Sequence, residues 1–157
     1  MKQPNNNQQL AAISHSAIEF YQGICNLPVS AGTSTKQIYK LETGQISALC
    51  IEEDRQQPIT IIKLLLTDFG DYFGVTFTDH QLTEFAKTFY DKFFYWHLAD
   101  LKNFYECCKG LNFGKPYGTV TVATIMEWGN EYNRQRDEQV QSIINEEYHQ
   151  LKAQEKR

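Results

Sequence analysis

No run of apolar residues in this chain of 157 is long enough to cross a bilayer, and Met1 to Gln9 has no apolar segment of the kind a secretory signal carries. A cytoplasmic protein is therefore expected. Cysteine is sparse: Cys25 and Cys50 stand alone and Cys107 and Cys108 are adjacent, with no CxxC pair. That spacing argues against a zinc site or a disulfide framework and favours reduced core thiols. An excess of positive charge is also missing. Fifteen Lys and Arg against nineteen Asp and Glu give a net charge of −4, which leaves room for a local basic face but not for a surface basic throughout.

The usual signatures of catalysis are absent as well. No Ser or Cys stands in a nucleophile elbow, and neither GxGxxG nor GxxxxGK[ST] occurs. His15, His80, His97 and His149 lack HExxH spacing and carboxylate or cysteine partners at ligand separation. Asp68, Asp71 and Asp79 edge an apolar helix with nothing to fix a third ligand. The expectation is a protein that is not an enzyme, with no catalytic, cofactor-binding or metal-binding residue and no cofactor.

What the chain does contain is apolar and aromatic material, 41% hydrophobic and 13% aromatic, enough for one core in a chain of this length. Periodicity reads as all-α, a single compact helical bundle with a long C-terminal helix. Residues 1–12, with the polar tract Asn5 to Gln9, are expected to be a disordered leader. Residues 13–133 form the helical core, and 134–157 a projecting helical tail. A first helix runs from Ser14, which with Ser16 offers a cap, to about Asn26. Two short helices are expected between Thr35 and Asp54, with a hairpin across Thr43-Gly44 as the competing reading. Pro58 opens an apolar helix, central to the bundle, that Gly74 ends near Phe73. Thr78 and Gln81 form a capping box, with Phe77 stapling on Leu82. An aromatic stripe follows, Leu82, Phe85, Ala86, Phe89, Tyr90, Phe93 and Phe94. After the joint Tyr95-Trp96-His97, another helix ends near Gly110.

Two segments carry candidate functions. The turn Gly110 to Gly118 precedes a helix N-terminus, whose free amides attract anions, so Lys109, Gly114, Lys115 and Gly118 are candidate phosphate-binding residues. The alternative is a plain interhelical turn in which Tyr117 plugs the core. Lys102, Arg134 and Arg136 could extend this into a basic face, though Asp100, Glu106, Glu127 and Glu131 are interleaved. The last helix begins at Thr119 or Thr121 and runs to Ala153 or beyond, with Gly129 its weak point. Asn133 to Gln139 is wholly polar, after which Val140, Ile143, Ile144, Tyr148 and Leu151 resume a narrow stripe. These five are the candidate partner-binding residues, for a protein partner or for self-association; nucleic acid is the second candidate partner, and a membrane is not one.

The order of several short motifs resembles a family of short, uncharacterised all-helical proteins of phages and mobile elements of gut bacteria. They are Phe69-Gly70-Asp71-Tyr72-Phe73, Thr78-Asp79-His80-Gln81-Leu82, Leu98-Ala99-Asp100-Leu101-Lys102, Gly114-Lys115-Pro116-Tyr117-Gly118, and Trp128 with Tyr132 and Arg136. The chain departs from the pattern at Gly129, where a leucine is expected. The resemblance implies no catalytic residue. It implies a mobile-element setting, in the host cytoplasm if a phage encodes the chain. That setting suits an interaction or assembly protein acting through its C-terminal helix, or alternatively a nucleic-acid-binding accessory of phage or plasmid replication.

Overall fold

The computed structural model describes residues 17–51 and 54–156. The expected leader, the capping residues Ser14 and Ser16, and His15, Glu52 and Glu53 lie outside the described residues. Within them the chain is all-α: α1 (17–25), α2 (Thr35–Lys40), a 3-10 turn (Ile46–Leu49), α3 (Gln56–Phe73), α4 (Asp79–Phe93), α5 (Leu98–Lys109) and α6 (Val122–Glu155). Among the described residues there is no strand, and no helix is long and apolar enough to cross a membrane.

Local chemistry sets most boundaries. The Thr78 hydroxyl accepts from Gln81 N at 3.1 Å while the Gln81 side chain accepts from Thr78 N at 2.9 Å, which closes the capping box of α4. Ser34 and Gln37 make the same reciprocal pair at α2. Gly74, at φ +73°, ends α3 in the left-handed conformation glycine adopts without strain. At the end of α5 it is not Gly110 but Leu111 that takes a positive φ, +56°, and Asn112 N closes the turn on Cys107 O at 3.0 Å.

α3 packs on α4 and α5, and α6 packs on the same two helices, so four helices enclose the main core. α2 lies along α6 and α5. α3 is a wall of this bundle rather than its axis. Its many apolar residues are explained by a second covered side, where Tyr21 and Ile24 of α1 meet Leu65 and Leu101. Lys63, Thr67 and Asp71 keep the remaining edge polar. Two short helical segments flank Gly44 as expected, α2 and the 3-10 turn, and the competing hairpin is not formed. Ile46 N donates to Trp96 O at 2.8 Å and Leu98 N to Gly44 O at 2.9 Å, so this segment docks on the α4–α5 joint.

That joint supplies the centre of the core. Trp96 is fully buried, stacks on Phe93 at 4.4 Å, and meets Phe89, Phe104 and Tyr132 at 4.8 to 5.6 Å. Such pairs each add about 0.5–1.5 kcal/mol beyond the area they bury. The stripe of α4 is core through Phe93, but Phe94 caps the helix facing solvent, and Tyr72 of α3 is also exposed. Gly129 proves to be a close-packing point rather than a weak one. A Cβ there would sit 3.1 Å from the Phe93 ring, so a leucine at this position would collide with the core.

Gly70 is required by the same logic at the end of α3, where its carbonyl accepts from Val75 N at 2.9 Å. A Cβ at Gly70 would lie 2.6 Å from the Val75 carbonyl oxygen, a backbone atom that cannot turn away. Gly70→Ala is expected to lower the unfolding free energy by about 1–3 kcal/mol despite the better helix propensity of alanine. Urea denaturation with an unchanged midpoint would contradict this.

Candidate functional site

Two residues of the polar segment after Tyr132, Asn133 and Arg136, tie it to the core, while its other residues are exposed. Asn133 Oδ1 accepts from Trp96 Nε1 and from Tyr95 OH, both at 2.8 Å. One turn later Arg136, only 5% exposed, donates through Nε to Asp100 Oδ2 at 3.0 Å. Asp100 is fully buried and has three more demands on it. Its Oδ1 accepts from Tyr132 OH at 2.7 Å, its Oδ2 also accepts from His97 N at 2.8 Å, and its own N–H closes the first turn of α5 on His97 O. Asn103 then donates to Tyr132 OH at 3.1 Å and to Thr33 O at 2.9 Å, which carries the network to the loop before α2.

The electrostatics follow from this packing. Burial works against the Arg136 charge, yet the adjacent Asp100 carboxylate outweighs it and raises the guanidinium pKa further. Burial, with Asp100 alongside, pushes the Tyr132 phenol well above its ordinary value, so it stays a donor. The Arg136 guanidinium also lies over the rings of Tyr39 and Tyr95, at 5.9 and 5.5 Å from their centroids. A buried ion pair with this many satisfied partners is costly to break from one side.

Next to it is a cavity of about 100 Å³ between α5, α6 and the loop before α2. Arg136, Tyr132 and Cys107 line its inner part, and Gly32, Asn112 and Gln139 its outer part. Burial pushes the Cys107 thiol up, against hydrogen bonds from the Gly32 backbone and the Asn112 side chain, so it is held as a thiol. Cys108 is likewise raised by burial, whereas Cys25 is exposed and is not a core thiol. Among the described residues no group of His, Cys, Asp and Glu could hold a metal ion.

The candidate phosphate set is dispersed. Lys109 pairs with Glu106 at 3.0 Å and lies over the Tyr105 ring at 4.5 Å, on the face shared with α3. Lys115 is exposed in the turn between Gly114 (φ +100°) and Gly118 (φ +72°). Thr121 and Thr124 cap the α6 N-terminus reciprocally, which uses the amide of Thr124. Tyr117 does not plug the core but stands fully exposed. Of the other cations, Lys102 donates to Leu27 O, and Arg134 is clamped between Glu131 and Glu138 at 2.7 and 2.6 Å.

The tail residues form one surface. α6 continues for 19 residues past Arg136, the last of its buried residues. At 100° per residue, Val140, Ile143, Ile144 and Leu151 fall within about 80° of the Arg136 direction, and Tyr148 about 120° from it. The stripe is thus the core face carried outward. Val140 and Ile143 are half-buried, while Ile144, Tyr148 and Leu151 are 51%, 53% and 60% exposed. Thr35 N donates to Gln139 Oε1 at 2.8 Å, and Lys36 reaches Glu146 at 3.8 Å, so α2 braces the base of the tail. Sequence reading missed the buried cluster, although Asp100, Tyr132 and Arg136 all lie in the motifs quoted above. It also missed an apolar groove of about 390 Å³ between Phe20, Ile24, Leu27 and Leu98. No family model, curated protein or solved structure matches the chain.

His97 sits at this site with its Nδ1 buried and without a partner. Burial lowers its pKa below 6.5; Asp100 opposes the shift and Arg136 reinforces it, while the Tyr39 ring meets it edge-on at 4.5 Å. The unfolded chain therefore binds a proton near pH 6.5 that the folded chain takes up only at lower pH. Stability falls with acidification through that window. Melting temperatures across pH 7 to 5 should drop less for His97→Gln than for wild type, and parallel curves would contradict the assignment.

Proposed function

We propose that this protein is a non-enzymatic assembly protein that pairs with a second copy of itself through the exposed part of α6. One observation carries the reading. A helix rigidly rooted in the core presents Ile144, Tyr148 and Leu151 more than half exposed on one side of a protruding tail. An isolated amphipathic extension gains little by itself, and covering these side chains supplies the missing stabilisation.

Charge supports a parallel second copy. With Ile144, Tyr148 and Leu151 as the seam, Glu147 and Lys152 flank it on opposite sides, five residues apart. In a parallel two-stranded coil, flanking residues at that offset face each other across the seam, so Glu147 of one copy meets Lys152 of the other, twice. The resemblance to phage and mobile-element proteins fits such a role, since assembly and accessory proteins of that kind act through surfaces rather than reactions. The nucleic-acid reading has less behind it. Lys102, Lys109, Arg134 and Arg136 are already engaged, which leaves it Lys115 beside the exposed Tyr117.

In light scattering over a concentration series, wild-type mass should rise toward twice the monomer, and Ile144→Asp with Leu151→Asp should stay monomeric. Glu147→Lys alone should weaken pairing, and Glu147→Lys with Lys152→Glu should restore it. Equal masses for wild type and the Asp variant at every concentration would remove the proposal.

A further inference from the structure

Among the described residues, His97 Nδ1 is a buried nitrogen that no hydrogen bond reaches. In a neutral ring protonated on Nε2 it is one unpaired acceptor. In the imidazolium both nitrogens are donors, so acid puts a charged N–H in the same place, where a missing partner costs more. The carboxylate three residues on is already committed: Asp100 Oδ1 accepts from Tyr132 OH, and Oδ2 accepts from His97 N and Arg136 Nε. The charged and titratable groups against the ring are Asp100 on α5, Arg136 on α6 and Tyr39 on α2. The segment Thr43 to Ile46, bridged to His97 through Gln45, has no charged side chain. Burial is the largest influence and disfavours the cation; Asp100 favours it and Arg136 disfavours it.

Packing decides what gives way. The His97 backbone is fixed, since its N–H and its carbonyl both bond to Asp100 in the first turn of α5. On the other side the ring meets Tyr39 edge-on at 4.5 Å, and Tyr39 is half-buried on a helix of only six residues. That helix is anchored apart from the main core, where Ile38 packs in a small cluster with Val29 and Ala99. Its ties to α6 are the bond from Thr35 N to Gln139, the Lys36–Glu146 pair and the Arg136 guanidinium over Tyr39. A short element with so few buried apolar residues opens more readily than the helices around Trp96.

We propose that His97 is a proton switch for α2: an imidazolium here displaces Tyr39 to reach water, and α2 leaves the base of the α6 tail while the main core stays closed. The sign follows from the two environments of the ring. Exposed, it takes a proton near pH 6.5; packed on Tyr39, it does so only at lower pH, so acidification below about pH 6.5 favours the released form. The switch does not depend on tail pairing, since a chain that stays monomeric would still release α2.

Hydrogen exchange of the full chain, followed residue by residue by NMR from pH 7 to 5 and corrected for the intrinsic pH dependence of exchange, tests it. The α2 amides of Thr35, Ile38 and Leu41, bonded to Gln139, Ser34 and Ile38, should lose protection while those of α3 and α4 keep theirs. The loss should share its midpoint with the titration of the His97 ring resonances. His97→Gln, which takes up no proton, should keep α2 protected throughout. If that variant does not fold, the coincidence of the two wild-type midpoints decides. Unchanged α2 protection in wild type, an equal loss in His97→Gln, a simultaneous loss in α3 and α4, or a ring midpoint displaced from that of α2 would overturn the proposal.

Discussion

The placement of α6 on the bundle depends on the ion pair between Asp100 and Arg136. The pair joins the first turn of α5 to the point where α6 leaves the bundle, and both partners are buried. Desolvating two charges is expensive, and the cost is offset only when the remaining lone pairs and protons find partners. Here Tyr132, His97 N and the rings of Tyr39 and Tyr95 supply most of them. The pair therefore fixes the direction of the tail, because α6 cannot rotate without withdrawing Arg136 from Asp100.

The aromatic core and the polar cluster are one construction. Trp96 touches Phe89, Phe93, Phe104 and Tyr132 with its ring and Asn133 with its indole nitrogen. Tyr132 continues from that ring stack to Asp100 and Asn103. Close approach of α6 to α4 depends on Gly129 opposite Phe93 and Phe89. The consequence is a rigid root for a helix whose outer part is uncovered, with a small polar cavity at the root and an apolar stripe beyond it.

Much of this was legible in the residues. Thr78 with Gln81, Gly74 after Phe73, and the spacing of Phe85, Phe89 and Phe93 state their structure locally, since caps and helical periodicity involve residues three or four apart. The tail stripe was readable for the same reason. What was not legible is whatever depends on partners distant in sequence. Asn133 to Gln139 looks solvated because its residues are polar, yet half-buried Asn133 and buried Arg136 bond to groups 36 to 38 positions away. Trp96 read as part of a joint because only the docking of α4, α5 and α6 makes it central. Lys109 and Lys115 looked like neighbours of one turn, but a lysine three residues from a partner of opposite charge or beside a ring is drawn to that partner first, as Lys109 is to Glu106 and Tyr105. Thr43-Gly44 marked the break between two short helical segments, but a glycine marks a turn without saying what the turn packs on, here the α4–α5 joint.

A double-mutant cycle on Asp100 and Arg136 tests most directly whether the pair acts as this structural hinge point. Asp100→Asn keeps one acceptor oxygen, for Tyr132 OH or for His97 N but not for both, while stranding the Arg136 charge, and Arg136→Met strands the Asp100 charge. Measured by urea denaturation, each single change should cost about 3–5 kcal/mol, and the double variant should be more stable than their sum implies by about 2–3 kcal/mol. Losses that add to within about 0.5 kcal/mol would mean that the two residues act independently, and would contradict the central role given to the pair.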